Sequence, residues 1–110
     1  MRILRLGQVI LAAMFLPAVA SATVYQGNPG NYLALLCQLQ AGDTLQLAAG
    51  TYVDQLQISN LHGSAGAFIV ITGPQSGPAA VFKADNCCNT VQFNDSSYVE
   101  VSHLTLDGNG

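Results

Sequence analysis

Positive charge is the scarcest property of this chain: Arg2, Arg5 and Lys83 are all the Lys and Arg in 110 residues. Without a basic stripe there is no electrostatic footprint for nucleic acid phosphates or an anionic lipid surface. Tryptophan is absent, and cysteine comes to three residues, Cys37, Cys87 and Cys88. Adjacent cysteines lack the two-residue spacing with which a turn presents both sulfurs to one metal, which argues against a zinc site. A membrane-length apolar run is missing too. A span needs roughly 20 apolar residues, and the run from Val9 to Ala20 is shorter and interrupted by Pro17.

That run has a different meaning. It follows Arg2 and Arg5 and leads into Ala20-Ser21-Ala22, the positive, apolar, small-residue order of a cleavable secretory signal. The expected division is a signal peptide over 1–22 and one small domain over 23–110, with cleavage near Thr23 and no stable membrane insertion afterwards. The expected location is secreted, periplasmic or cell-surface. Cleavage leaves 88 residues (110 − 22) in which Lys83 faces Asp43, Asp54, Asp85, Asp95, Glu100 and Asp107, a net charge of −5. Export permits disulfides. Cys37 pairing with Cys87 or Cys88 is the favoured link, with a vicinal Cys87–Cys88 bridge or a partner outside the chain as alternatives.

The first element after the signal reads as an amphipathic helix over about 29–41. Asn28 precedes Pro29, and Tyr32, Leu35, Leu36 and Leu39 recur at i, i+3, i+4 and i+7 before Gly42. From Asp43 onward the period is two: Leu45 and Leu47, Leu56 and Ile58, Ile69 and Ile71, Val81, Val91 and Phe93, Val99 and Val101, Leu104 and Leu106. Turn residues separate these bursts, which predicts an all-β body behind one helix. Similar bursts return at 24 positions (Leu45 to Ile69, Leu56 to Ala80), 23 (Val81 to Leu104) and 30 (Ile69 to Val99). Such a period favours a stacked parallel solenoid with coils from 43 over a small, complete antiparallel β-sandwich. The helix would then cover the open end of the first coil.

The stretch Gly42-Asp43-Thr44-Leu45-Gln46-Leu47-Ala48-Ala49-Gly50-Thr51-Tyr52 resembles the opening coil of right-handed parallel β-helix proteins of the pectate-lyase-like superfamily. Phe68 to Gly73 is similar to a second coil, and Tyr98 to Val101 with Leu104 to Gly108 to a third. The resemblance covers about Gly27 to Gly110 and implies a right-handed parallel β-helix with an N-terminal cap helix, truncated after its first coils. It also implies action on or binding of polysaccharide, as a lyase or hydrolase. Acid-bound calcium and an Arg or Lys base serve elimination in such enzymes, so calcium is the cofactor that a lyase of full length would call for, while the sequence itself assigns none. A surface or adhesive β-helix without enzymatic activity is the alternative.

No residue set in the sequence carries catalysis by itself. Lys83 and Asp85 read as a solvated strand end. Asp95, Glu100 and Asp107 would have to gather on one face to act as paired carboxylates on a sugar bond. His62 and His103 read as a loop and a strand-end histidine. Asn94-Asp95-Ser96 matches the N-glycosylation pattern, and a turn beginning at Asn94 explains it equally. The catalytic site is therefore expected beyond this segment.

Overall fold

The computed structural model describes residues 22–83 and 89–108. One short helix and nine strands follow in the order β1 (Val24–Gly27), α1 (Tyr32–Leu36), β2 (Thr44–Leu47), β3 (Gly50–Tyr52), β4 (Leu56–Ser59), β5 (Ile69–Thr72), β6 (Ala80–Lys83), β7 (Val91–Asn94), β8 (Val99–Ser102) and β9 (Thr105–Asp107). They form three sheets with strand orders β1-β2-β5-β8, β3-β6-β9 and β4-β7. From β2 onward the chain visits the first, second and third sheets in turn and then returns to the first. All six pairings between these strands are parallel, which sets aside the antiparallel sandwich. The fold is mostly β and built from parallel sheets.

Alternation along each strand turns every second side chain inward, and the parallel register lines those side chains up in files. In the first sheet the file is Tyr25, Leu45, Ile71 and Val101; in the second it is Tyr52, Phe82 and Leu106; in the third, Leu56 faces Val91 and Ile58 faces Phe93. Tyr52 stacks on Phe82 with ring centroids 4.5 Å apart, and Tyr32 of α1 meets both rings edge-on at 5.2 and 5.6 Å. Each such pair contributes about 0.5–1.5 kcal/mol beyond its buried area.

The register corrects the spacing read from sequence. Leu45 pairs with Ile71, not Ile69, and Leu56 pairs with Val91, while Ala80 pairs with Gly50. Val81 pairs with Thr105 and lies on the outer side of β6, whose inward residues are Ala80 and Phe82. The stretch Gly50-Thr51-Tyr52, at the end of the opening segment from Gly42, is strand β3. The 30-position match of Ile69 with Val99 stands.

The helix is shorter than its apolar pattern, five residues rather than 29–41. Upstream, Asn28 Oδ1 accepts the N–H groups of Gly30 and Asn31 while Asn31 Oδ1 accepts that of Asn28, so the two side chains close a turn before the helix starts. Downstream, Gln38 donates to the Leu35 carbonyl at 2.9 Å, a tightening to three-residue spacing that ends the α-helix. The apolar face is used nonetheless: Tyr32, Leu36 and Leu39 are buried, with Leu35 packed against them.

Burial differs between the last strand of each sheet and the strand it pairs with. Strands β7, β8 and β9 are each last in their sheet. Ile58 is 0% exposed, whereas Phe93, its register partner, is 55% exposed; Phe82 is 0% exposed and its partner Leu106 is 53%. Among the described residues no helix is long and apolar enough to cross a membrane. Residues 1–21 of the expected signal, and Cys87, Cys88 and Asp85, lie outside the described residues.

Candidate functional site

The corner where the third sheet passes into the first gathers the most varied surface chemistry. Asn60 after β4 and Asp95 after β7 occupy stacked positions, and both are left-handed, with φ of 56° and 48°. Short polar side chains tolerate that conformation. Asn60 N–H donates to the Asn94 carbonyl, Ser97 N–H to Leu61 and Gly63 N–H to Ser97, so the segment after β4 is bonded to the segment after β7. Ser96 Oγ accepts the Leu61 N–H at 3.2 Å and lies 3.1 Å from the Asn94 carbonyl that it can donate to. The sequon hydroxyl is thus engaged in corner structure.

On this scaffold His62 Nδ1 and Ser97 Oγ share a hydrogen bond of 3.0 Å, and His62 Nε2 lies 3.8 Å from Asp95 Oδ2. The three residues have the membership of a nucleophile–base–acid set but not its geometry. The carboxylate is beyond hydrogen-bond distance of the ring, and both His62 and Asp95 are largely solvent-exposed. A catalytic triad holds its acid bonded to the histidine in a sheltered site. What the arrangement offers is a cluster of hydrogen-bonding groups at the surface.

Beside it stand two exposed aromatic rings, Phe68 just before β5 and Tyr98 just before β8, edge to face at 5.5 Å. Tyr98 has φ of 52°, a conformation that costs a bulky side chain about 1–3 kcal/mol. It is held by Tyr98's carbonyl accepting the Ile69 N–H, and by Gly63, where an added Cβ would meet that carbonyl oxygen at 2.5 Å. Past the aromatic pair, the outer row of the first sheet is Gln26, Gln46, Thr72 and Ser102 in register. Ser102 Oγ donates to Thr72 Oγ1 at 3.0 Å.

The residues weighed from sequence do not converge. Lys83 and Asp107 pair across β6 and β9 at 3.8 Å; Glu100 is exposed on β8 in the first sheet, and Asp95 is at the corner. His103 sits at the turn between β8 and β9 with φ of 54°. Among the described residues no group of three or more His, Cys, Asp or Glu could hold a metal ion. Cys37 carries an exposed, free thiol at the rim of a cleft of about 240 Å³ lined by Leu33, Leu36, Gln57, Ser59 and Leu61; the other end of the expected disulfide lies outside the described residues. In the interior, burial, followed by the charge of Asp54, pushes the Tyr32 hydroxyl up to about 12, and burial raises Tyr52 as well.

His62 reads from sequence as an isolated loop residue because Ser97 lies 35 positions away and Asp95 33 (95 − 62). The Phe68–Tyr98 pair carried a usable signal: its separation of 30 equals that of Ile69 and Val99, the strand residues that follow. No protein-family model, curated protein or solved structure matches this chain.

Proposed function

We propose that this chain is the helix-covered start of an exported right-handed parallel β-helix that binds polysaccharide at the corner of Phe68, Tyr98, His62, Asp95 and Ser97. On this reading the bond-breaking residues of a lyase or hydrolase stand on coils beyond this segment. The observation that carries it is the exposed aromatic pair beside a cluster of hydrogen-bonding side chains on a rigid corner. Sugars present C–H faces and hydroxyl edges, and a site with apolar rings and convergent polar groups matches both.

The architecture supports the same reading. Strands of three parallel sheets visited in rotation are what a solenoid requires, and parallel crossovers are right-handed in about 98% of cases. Tyr32, Leu36 and Leu39 share one buried cluster with the inward strand residues, as a cover for the first strands would, while Phe93 and Leu106 are half-exposed on strands that are last in their sheets. The resemblance to the pectate-lyase-like superfamily, carried by Gly42 to Tyr52, implies a carbohydrate substrate.

Charge refines the substrate class. Asp95 and Glu100 are the acids at and next to the corner, and Lys83 stands on the second sheet beside Asp107. A uronate chain would bring more negative charge to this face, so a neutral glycan fits it better, and because elimination requires a uronate, that preference favours the hydrolase over the lyase. Affinity electrophoresis of the exported chain through gels carrying neutral or acidic polysaccharides tests the reading. The expected result is retardation by a neutral glycan, weakened about tenfold, roughly 1.4 kcal/mol, in Phe68→Ala. No retardation by any glycan, or retardation that Phe68→Ala leaves unchanged, would refute it.

A further inference from the structure

Thr23 is the residue that follows the small-residue pattern Ala20-Ser21-Ala22, and its backbone nitrogen donates to Asp43 Oδ1 at 3.0 Å. Asp43 is 5% exposed, the buried acid of the described residues. Its other oxygen, Oδ2, accepts the Gln40 N–H at 2.9 Å. Two backbone bonds fix the same junction: Thr44 N–H to the Thr23 carbonyl and Asp43 N–H to the Gln40 carbonyl, each 2.9 Å. One oxygen of a buried carboxylate therefore rests on the very nitrogen that a cut after Ala22 would free.

We propose that Asp43 is the receptor for the N-terminus that signal cleavage creates. In the cut, an export endopeptidase hydrolyses the Ala22–Thr23 peptide bond. Water gives its hydroxyl to the Ala22 carbonyl carbon and a hydrogen to the Thr23 nitrogen, and the new amine takes a proton from solvent. A neutral amide donor thereby becomes an α-ammonium facing the Asp43 carboxylate. Charge-assisted hydrogen bonds are roughly twice as strong as neutral ones, and a buried carboxylate is costly until it is paired. Processing thus completes a site that the unprocessed chain only half satisfies, and it fastens β1 to β2 at the outer edge of the first sheet. The titratable groups on the two elements packed here are Tyr25 on β1 and Asp43 ahead of β2.

The inference rests on the export reading, and the test separates the two. Mass spectrometry of the chain recovered outside the cell should give Thr23 as the first residue; another first residue would overturn the Asp43 pairing alone, and a chain kept inside the cell with its N-terminal segment intact would overturn both. Given that start, nitrogen NMR should find the α-amine titrating above its ordinary range of about 7.7–8.0, and an unshifted amine would overturn the ion pair while leaving export intact. Asp43→Asn should return the amine to that range. It should also lower the folding constant about tenfold more in the processed chain than in the full chain kept unprocessed inside the cell. An equal loss in both forms would overturn the proposal.

Discussion

Ile58 and Phe93 are register partners on the parallel strands β4 and β7, yet removing their side chains should have very different effects. Ile58 is fully buried, so Ile58→Ala loses transfer free energy and leaves a cavity, a cost of about 2–5 kcal/mol. Phe93 keeps 55% of its surface in water. Full burial of such a side chain stabilises by about 1.5–3 kcal/mol, so Phe93→Ala should cost only about 1 kcal/mol, although it deletes the larger group. Urea unfolding of the processed chain reads both. With a slope of about 1–3 kcal/mol per molar, Ile58→Ala should move the midpoint several times further than Phe93→Ala. Should Ile58→Ala fail to fold, Ile58→Val, at about 0.5–1.5 kcal/mol, keeps the comparison usable. Phe82 and Leu106 provide a second, independent pair, 0% and 53% exposed. A Phe93→Ala cost equal to or above that of Ile58→Ala would refute the reasoning, because it would mean that β7 is covered as fully as β4.

Three further outcomes are expected. The Tyr32 hydroxyl is held near 12 against an ordinary 10.0, so its contribution is intact below pH 10 and is lost as pH rises through 12, by about 2–3 kcal/mol; thermal melts across that window should show the loss, and Tyr32→Phe should flatten it. Gly73→Ala should destabilise by about 1–3 kcal/mol, because the added Cβ would lie 2.3 Å from the His103 carbonyl oxygen. Gly66→Ala, with nothing within 4 Å of its Cβ, should stay within about 0.5 kcal/mol, and equal midpoints for the two glycine variants would contradict the packing at Gly73.

Much of the inward set is legible in the sequence because a two-residue period needs only the sign of each side chain. Leu45, Leu47, Leu56, Ile58, Ile69 and Ile71 are all buried as that period requires, and so are Tyr32, Leu36 and Leu39 at helical spacing. Register is not legible in the same way. Ile69 and Ile71 are equally apolar, so counting from Leu45 cannot choose between them, and the Ser64–Ala67 turn adds the residues that move the pairing to Ile71. On β6 Ala80, Val81 and Phe82 are all apolar, and only the partners settle which face inward. The helix stops early because hydrogen bonding, which apolar spacing does not encode, tightens after Leu36. The corner cluster was hidden for the same reason as the register: His62, Asp95 and Ser97 become neighbours only once β4 and β7 are aligned.

Unequal spacing between paired strands means that the sheets and the corners are under separate control. Successive partners in the first sheet are 26 residues apart from Leu45 to Ile71 and 30 from Ile71 to Val101, yet the ladder stays in register. Corners therefore act as expansion joints, and length can be added at one of them without displacing a strand. The Ser64–Ala67 turn, closed by its own pair of backbone bonds and with open space around Gly66, is such a joint. Because loop closure costs only about 0.6 kcal/mol for each doubling of length, a foreign peptide grafted at Gly66 should be displayed beside the aromatic corner while the parallel stack beneath it remains intact.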